Sequence, residues 1–228
     1  MSKTVYLYET HLHTAPVSAC ARALPDEQVR AYAARGYAGV IVTDHFINGN
    51  CSCPRDIPWE EKMRYFHSGF QRARAEGERL GVDVFFGWEY AVEGTEFLTY
   101  GLDLDFLLAH PGMDRLTPEA YSALIRKRGG YMAQAHPYRV DSWIRRPGPV
   151  CPLLLDGVEV CNASMPAHVN GQAADFAETH GLPPQSGSDS HTADIAFAAG
   201  IALPRKAKDI FDIIAAIRQR KARLITPD

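Results

Sequence analysis

The sequence has no apolar run long enough to cross a membrane. A membrane-spanning helix needs roughly 20 consecutive apolar residues, and the run at residues 5–8 is far shorter. No basic stretch followed by an apolar core indicates a secretion signal. Cysteine is scarce: the five residues, an odd number, argue against a disulfide framework and for a reducing compartment. These absences predict a cytoplasmic protein.

A large excess of charge of one sign is also missing. The 24 basic and 27 acidic residues are interspersed and leave a formal net charge of −3, so a binding surface for a nucleic-acid polymer is not expected. No Gly-x-Gly motif joins a strand to a helix, which argues against a dinucleotide cofactor. The 228 residues suffice for a substantial core. We predict a single domain over residues 1–228 that binds neither nucleic acid nor membrane.

Short strand-like runs alternate with helix-like segments along the chain. Apolar, β-branched and aromatic runs predict strands at residues 4–8, 39–42, 82–86, 131–135, 157–161 and 199–203. Proline and acidic starts and glycine ends predict helices at residues 25–36, 66–80, 118–128, 173–179 and about 207–220. This alternation predicts an α/β fold with a parallel sheet, either rolled into a barrel or left open.

Histidines and carboxylates recur where the strand-like runs give way to polar loops. His11 and His13 are two residues apart on an extended segment, so their side chains point to the same face. Asp189 and His191 have the same spacing, and Glu9 shares the parity of His11. Paired imidazoles with a carboxylate suit borderline divalent metals such as zinc, manganese or iron. We therefore expect a metal site on one rim of the sheet or barrel.

Five short motifs extend this pattern over nearly the whole chain. They are His11-Leu12-His13-Thr14, Thr43-Asp44-His45, Gly87-Trp88-Glu89, Ala135-His136-Pro137 and Gly187-Ser188-Asp189-Ser190-His191. As an ordered set they resemble the motif series of the PHP family, which is named for polymerase and histidinol phosphatase. The resemblance implies a distorted (β/α)7 TIM-like barrel with a metal site at the carboxyl ends of the strands. It also implies, as is usual in the family, phosphoester hydrolysis.

The resemblance further implies which residues hold two to three divalent ions. His11 and His13, with Glu89 and Asp189, would hold one metal. Glu89 would bridge to a second metal that also takes His136. Of these residues, Glu89, His136 and Asp189 are expected to be catalytic.

A third metal would take His45 and His191. Asp44 faces away from His45 on a strand, so we expect it either to support the metal ligands or to stabilise the structure. The family commonly adds an acid or a histidine a few residues after its first motif, whereas this sequence offers only Ser18 or Cys20 there.

A second departure from the family pattern follows Glu89. The position where the family commonly has a further histidine is Leu98 here when counted without gaps. Two of the three metals are therefore each short of one ligand. Water, Cys20 or Glu96 would fill these places, or fewer than three metals bind. Because Glu89 and His136 are both present, we expect at least two.

The function predicted is that of a hydrolase, a metal-dependent phosphoesterase acting on a small phosphorylated metabolite such as a nucleotide, a sugar phosphate or an amino-alcohol phosphate. Metals lower the pKa of bound water to about 7 in favourable cases, so a metal-bound hydroxide would attack phosphorus. Arg139 is the predicted phosphate clamp, because guanidinium offers a planar fork to two oxygens. The alternative is a surface arginine paired with Asp141. His168 is a further candidate for substrate contact.

Two other functions remain open. A carbon–nitrogen hydrolase of the amidohydrolase type would share a histidine-rich barrel rim. Such enzymes commonly add a metal-bridging carboxylated lysine, and no lysine falls at a predicted strand end. The other is a non-catalytic accessory module in which metal only stabilises the fold.

Overall fold

The computed structural model describes residues 4–194 and 198–227. Within these ranges, nine strands form one mixed sheet. The strands are β1 (Tyr6–Leu12), β2 (Tyr37–Val42), β3 (Asp83–Val92), β4 (Thr95–Tyr100), β5 (Tyr131–Gln134), β6 (Gly157–Asn162), β7 (Pro184–Gly187), β8 (Gly200–Leu203) and β9 (Arg223–Ile225). Their order across the sheet is β7-β6-β5-β4-β3-β2-β1-β8-β9.

The first seven strands form a nearly closed barrel. The pairs β1–β2, β2–β3, β5–β6 and β6–β7 are parallel, whereas β4 runs antiparallel between β3 and β5. The sheet curls until the end of β7 meets β1. There, Leu12 forms a parallel bridge with Ser190, and Thr10 Oγ1 donates to the Ser186 carbonyl at 2.7 Å. This mixed α/β architecture confirms the predicted class, a distorted TIM-like barrel.

Two features depart from regular strand–helix alternation. β3 returns directly as β4 through a tight turn in which Glu93 and Gly94 both have positive φ, 52° and 90°. β8 and β9, which a helix separates in the sequence, pair antiparallel with each other, and β8 pairs antiparallel with β1. β4, β7 and β9 were not predicted from the sequence.

The helices begin and end at local signals. In α1 the Glu27 carboxylate accepts a hydrogen bond from the Leu24 N–H at 2.8 Å, and the helix stops before Gly36 at φ 78°. α2 begins at Trp59 rather than at residue 66, directly after Pro58. None of the described helices has the length and apolar character of a membrane span. The helices are α1 (Pro25–Ala34), α2 (Trp59–Leu80), α3 (Leu104–Leu108), α4 (Pro118–Lys127), α5 (Ala167–Thr179) and α6 (Ile210–Arg218).

A polar chain crosses the interior of the barrel. Gln185 of β7 donates to Tyr100 Oη at 2.9 Å and accepts from Tyr131 Oη at 2.9 Å. Tyr100 Oη in turn donates to the Thr10 carbonyl at 2.8 Å. These bonds join non-neighbouring strands and hold β7 against β1 although β7 contributes few apolar side chains. The barrel therefore presents a fixed set of strand ends to its carboxyl rim.

Candidate metal centre

The seven predicted ligands converge at the carboxyl rim of the barrel. Parallel strands end on the same side, so residues far apart in the sequence meet there. β3 is the exception, because it continues past its ligand into the β3–β4 hairpin. The ligands are His11 in β1, His13 after β1, His45 after β2, Glu89 in β3, His136 after β5, and Asp189 and His191 after β7.

Their donor atoms fall into four overlapping groups, and within each group the atoms lie within 4.8 Å of one another. Convergent nitrogen and oxygen donors of this kind suit a divalent cation. Each predicted ligand occurs in at least one group, and Glu96 joins them. The groups are His11–His13–Asp189, His11–Glu89–His136, His45–Glu89–Glu96 and His13–His45–His191.

The first predicted site brings four donor side chains together. His11 Nε2 lies 3.4 Å from Glu89 Oε1 and 3.4 Å from Asp189 Oδ1. His13 Nε2 lies 3.2 Å from the same Asp189 oxygen and 3.5 Å from Glu89 Oε2. All four side chains are buried. Two imidazoles and two carboxylates therefore face one point, as the motif resemblance implies.

Glu89 also links this site to a second group of donors. His136 Nε2 lies 3.2 Å from Glu89 Oε1 and 3.6 Å from Glu96 Oε2. His45 Nδ1 lies 2.8 Å from Glu89 Oε2 and 3.7 Å from Glu96 Oε1. Leu98, by contrast, is fully buried in the apolar core. Of the alternatives considered for the second missing ligand, Glu96 is thus the side chain that lies among the donors.

The third predicted site contains three imidazoles. The ring of His13 lies 4.3 Å, centroid to centroid, from the rings of both His45 and His191. Cys20, at the open side of these rings, lies within hydrogen-bonding reach of His191 and His45. Burial acts to raise the pKa of the Cys20 thiol, but these two histidines outweigh it and lower the pKa to about 6.

Ser18 and Asp44 form hydrogen bonds that hold the histidines of this site in place. Asp44 accepts hydrogen bonds from the Thr14 hydroxyl at 2.6 Å and from the Ser18 hydroxyl at 2.7 Å. Ser18 Oγ also accepts from the His45 N–H at 3.0 Å and lies 3.1 Å from His13 Nδ1. Asp44 therefore supports two of the predicted ligands through Ser18. Ser18 positions two histidines and does not face the donor groups itself.

Glu159 is a functional candidate that the sequence analysis did not single out. Its Oε1 lies 2.9 Å from His11 Nδ1, and its Oε2 accepts from the His136 N–H at 3.1 Å. Asn162 donates both to Glu159 at 2.9 Å and to Asp189 at 3.3 Å. A carboxylate that orients a metal-bound imidazole in this way fixes its tautomer and raises its basicity. The sequence did contain a signal for this role, because Glu159 is a charged residue between two valines in a strand that is buried throughout.

Glu9, which shares the parity of His11, supports the ligands through the backbone. Its carboxylate accepts from the backbone N–H groups of His11 and Ser188, at 2.8 and 2.9 Å, and from the Ser188 hydroxyl. Burial raises the pKa of Glu9 to about 7. Glu9 thus ties β1 to the loop that carries Asp189 and contacts the ligands only through their backbone.

The electrostatics of the rim follow from burial opposed by neighbouring charges. Burial raises the pKa of Glu89, but His11 and His45 outweigh it and hold the pKa well below its usual range. Asp189 has a pKa well below its usual range because His11 likewise outweighs burial. Burial raises the pKa of Glu96 to about 7, and the charge of Glu89 adds to the rise. Neighbouring histidines therefore keep Glu89 and Asp189 ionised, whereas burial favours the neutral form of Glu96.

Two observations indicate that cations fit these residues. His45 Nδ1 and Glu89 Oε2 are buried and face each other, yet neither forms a hydrogen bond with any described group. Moreover, His136 and Asp189 have positive φ values of 27° and 53°, a backbone conformation that is uncommon outside glycine and is often found at functional sites. The orphaned atoms and the strained backbone both occur at predicted ligands.

A cavity of about 410 Å³ opens onto the rim. Arg139 lies on its wall, with Nε 2.5 Å from Asp141 Oδ2 and its guanidinium carbon 5.3 Å from the centre of the Trp143 ring. Both alternatives considered for Arg139 are thus compatible with the geometry, since it pairs with Asp141 and also faces the cavity. The lining residues are Cys20, His45, Asn50, Glu96, Arg139, Trp143, Ser164, Met165, Asp189 and His191.

His168 lies outside this lining. It is exposed in the first turn of α5, and the loop before that helix contributes Ser164 and Met165 to the cavity instead. The predicted substrate contact of His168 therefore has no support in the geometry.

Comparisons with known proteins agree with the fold. The family model PHP_C, described as PHP-associated, matches residues 167–222. A two-domain protein from Bacteroides vulgatus that contains a predicted PHP-like metal-dependent phosphoesterase has 17% sequence identity and a TM-score of 0.73, covering 98% of this chain and 65% of that protein's chain. PsfC from Pseudomonas syringae has 20% identity and a TM-score of 0.70, covering 98% of this chain and 92% of the other.

A third structure is that of an amidohydrolase from Chromobacterium violaceum with bound sulfate and no metal. It has 18% identity and a TM-score of 0.59, covering 97% of this chain and 98% of the other. No curated protein matches the sequence. The chain therefore shares the barrel fold of these structures, and its C-terminal part matches the PHP-associated family model.

Proposed function

We propose that the chain is a metal-dependent phosphoesterase that hydrolyses a small phosphorylated metabolite. The observation that carries the proposal is the cluster of seven predicted ligands, which opens into a cavity with a guanidinium on its wall. Cations held there would supply Lewis acidity and lower the pKa of bound water. A cavity of about 410 Å³ suits a small molecule. The likeness to the two-domain protein of Bacteroides vulgatus, which contains a predicted PHP-like metal-dependent phosphoesterase, supports the same reaction class.

Arg139 supplies positive charge beside the metal ligands. Its Nε pairs with Asp141 and its Nη1 lies 4.0 Å from Glu96 Oε2, and its two terminal nitrogens would bind two phosphate oxygens when substrate enters. Held there, the guanidinium would offset negative charge that develops on those oxygens during hydrolysis. Trp143, which stacks on Arg139, and Met165 add apolar surface for the remainder of the substrate.

Glu159 and Ser18 hold the histidines for this task. Glu159 keeps the proton of His11 on Nδ1, which leaves Nε2 as the donor that faces Glu89 and Asp189. Ser18 contacts Nδ1 of His13 in the same manner. Both imidazoles are thereby oriented before substrate arrives.

Carbon–nitrogen hydrolysis is the second candidate, and the likeness to the Chromobacterium violaceum amidohydrolase favours it. Two features of the described cavity lining argue for a phosphate instead. The lining includes Arg139, whose charge a neutral amide does not need, and it includes no lysine that could become a carboxylated metal bridge.

A hydrolysis panel tests the proposal. Phosphomonoesters, phosphodiesters and cyclic or linear amides are incubated with the chain loaded with Mn²⁺ or Zn²⁺. We expect turnover of at least one phosphoester and its loss in Glu89→Gln. Arg139→Met should raise KM for that ester about 10- to 100-fold, since a hydrogen bond to a charged group contributes about 1.5–3 kcal/mol. The exposed Arg128→Met is the matched control and should leave KM unchanged.

The panel also separates the rival functions. Hydrolysis of amides alone would overturn the phosphoesterase proposal. If neither class is hydrolysed with metal fully loaded, and His136→Ala unfolds the chain, the metal has a structural role and the module is non-catalytic.

A further inference from the structure

One of the four donor groups differs from the others in charge. Three of them contain a carboxylate, whereas the group of His13, His45 and His191 contains imidazoles only. Neutral imidazole is the form that binds metal, so a divalent cation held by these three rings alone would keep its full charge. Because His13 and His45 are buried, uncompensated charge there is costly. An anionic donor is therefore expected on the open side of the group.

The side chain on that open side is Cys20. Its thiol lies within hydrogen-bonding reach of both His191 and His45, and all three residues line the same cavity. The backbone holds this arrangement, since the Arg22 N–H donates to the His191 carbonyl at 2.8 Å. The segment that carries Cys20 is thus tied directly to the segment that carries His191.

Nearby oxygen donors are engaged elsewhere. Ser18 Oγ donates to Asp44 and accepts from the His45 backbone N–H, so its hydroxyl is already hydrogen-bonded within the protein. Asp189 belongs to the adjacent group with His11 and His13. His45 Nδ1 faces Glu89 Oε2 at 2.8 Å, so Nε2 is the ring nitrogen of His45 that can serve this group.

We propose that Cys20 is an anionic sulfur ligand that, with His45 and His191, completes a cation site next to His13, whose Nε2 serves the first site. The proposal deepens the proposed function, because it rests on metal binding at the same rim. Binding would release the thiol proton to solvent. Two imidazole nitrogens and one thiolate form a donor set that zinc accepts readily, whereas manganese and magnesium prefer oxygen. This site therefore selects zinc over manganese and differs in preference from the carboxylate-rich groups around Glu89.

Cobalt(II) is a suitable probe, because a thiolate–cobalt bond gives a near-ultraviolet charge-transfer absorption that nitrogen and oxygen ligands do not give. The metal-free chain is titrated with Co²⁺, and bound cobalt is counted. We expect the absorption to accompany one of the bound equivalents in the unaltered chain. It should persist in Cys151→Ser, which alters an exposed cysteine outside the cavity lining. Cys20→Ser should lose the absorption and bind that equivalent at least about tenfold more weakly.

Cys20→Asp keeps the test decisive if the serine variant folds poorly. An aspartate restores an anionic donor, so we expect the equivalent to be retained without the absorption and the preference for zinc over manganese to fall by about tenfold or more. An absorption that persists in Cys20→Ser, or none in the cobalt-loaded unaltered chain, would overturn the proposal. These readouts do not depend on turnover, so failure to hydrolyse phosphoesters would count against the proposed function alone.

Discussion

The Nε2 atoms of His11 and His13 lie 3.1 Å apart in the buried centre of the rim. Asp189 Oδ1 lies 3.4 Å from the first nitrogen and 3.2 Å from the second. Without metal, a hydrogen bond between the two rings needs a proton on one nitrogen, because two neutral lone pairs repel. A cation between them would bind both nitrogens and the carboxylate together. The folded state is therefore expected to depend on bound metal.

Removing metal should lower the melting temperature. A ligand that binds only the folded state stabilises it by about 2.7 kcal/mol when present at 100 times its Kd. In a chain of this size, 1 kcal/mol shifts Tm by about 2–4 °C, so each emptied site should lower Tm by about 5–10 °C. Calorimetry before and after chelation measures the shift, and added Zn²⁺ should reverse it. An unchanged Tm after verified metal loss would contradict the ligand cluster.

Glu159→Gln should weaken metal binding without unfolding the chain. The amide keeps the shape of the carboxylate but loses the charge that raises the basicity of His11. Changes to groups that orient a metal ligand typically cost 10- to 100-fold in affinity, and we expect a loss of about that size. Competition with a chromophoric chelator measures it. Glu119→Gln alters an exposed acid in α4 and is the control. Equal metal affinities in the two variants would show that Glu159 does not contribute to metal binding.

Much of the site could be predicted because its residues follow strand ends. The spacing of His11 and His13 on an extended segment requires both side chains to share a face, and their Nε2 atoms do converge. The motifs at His45, Glu89 and His136 follow or lie on predicted strands in the same way. Alternation of strands and helices was sufficient to bring these positions to one rim.

The parts of the site and fold that could not be predicted depend on contacts between residues that are distant in the sequence. Glu96 reaches the donors because β4 turns back antiparallel at Glu93 and Gly94, whereas counting residues onward from Glu89 led to Leu98. β7 was missed because Gln185 and Ser186 are polar although buried. Their partners are Tyr100, Tyr131 and the Ile225 carbonyl, which no local pattern reveals.

Acid should weaken an ion-pair network between α1 and α2. Glu76 accepts from Arg79 at 2.7 Å and from Arg30 at 3.0 Å, and the Arg79 hydrogen bond lowers the pKa of Glu76 from 4.5 to about 2. A depressed carboxyl pKa stabilises the fold fully above pH 4.5 and progressively less as the pH falls towards 2. Urea unfolding of the unaltered chain and of Glu76→Gln should therefore differ most at neutral pH and converge below pH 4.5.

The control for Glu76 is Glu60→Gln, which removes an ion pair with Arg64 within one exposed helix turn. Such pairs contribute little, so its effect should be the smaller of the two at neutral pH. If the difference in the free energy of unfolding between the unaltered chain and Glu76→Gln grew on acidification, the pKa of Glu76 would not be lowered in the folded state.

Gly187→Ala should disturb the metal site through packing alone. A Cβ at this position in β7 would lie 2.5 Å from His11 Cβ and 2.7 Å from Glu159 Oε1, so the strand or these side chains must move. Overpacking of this kind typically costs about 1–3 kcal/mol, and displacing His11 should also lower metal affinity. Gly171→Ala in α5 meets nothing within 4 Å and should be neutral or stabilise the helix by up to about 1 kcal/mol. Chemical unfolding and metal titration of both variants measure these effects, and a Gly187→Ala chain with unaltered affinity would show that β7 does not position His11.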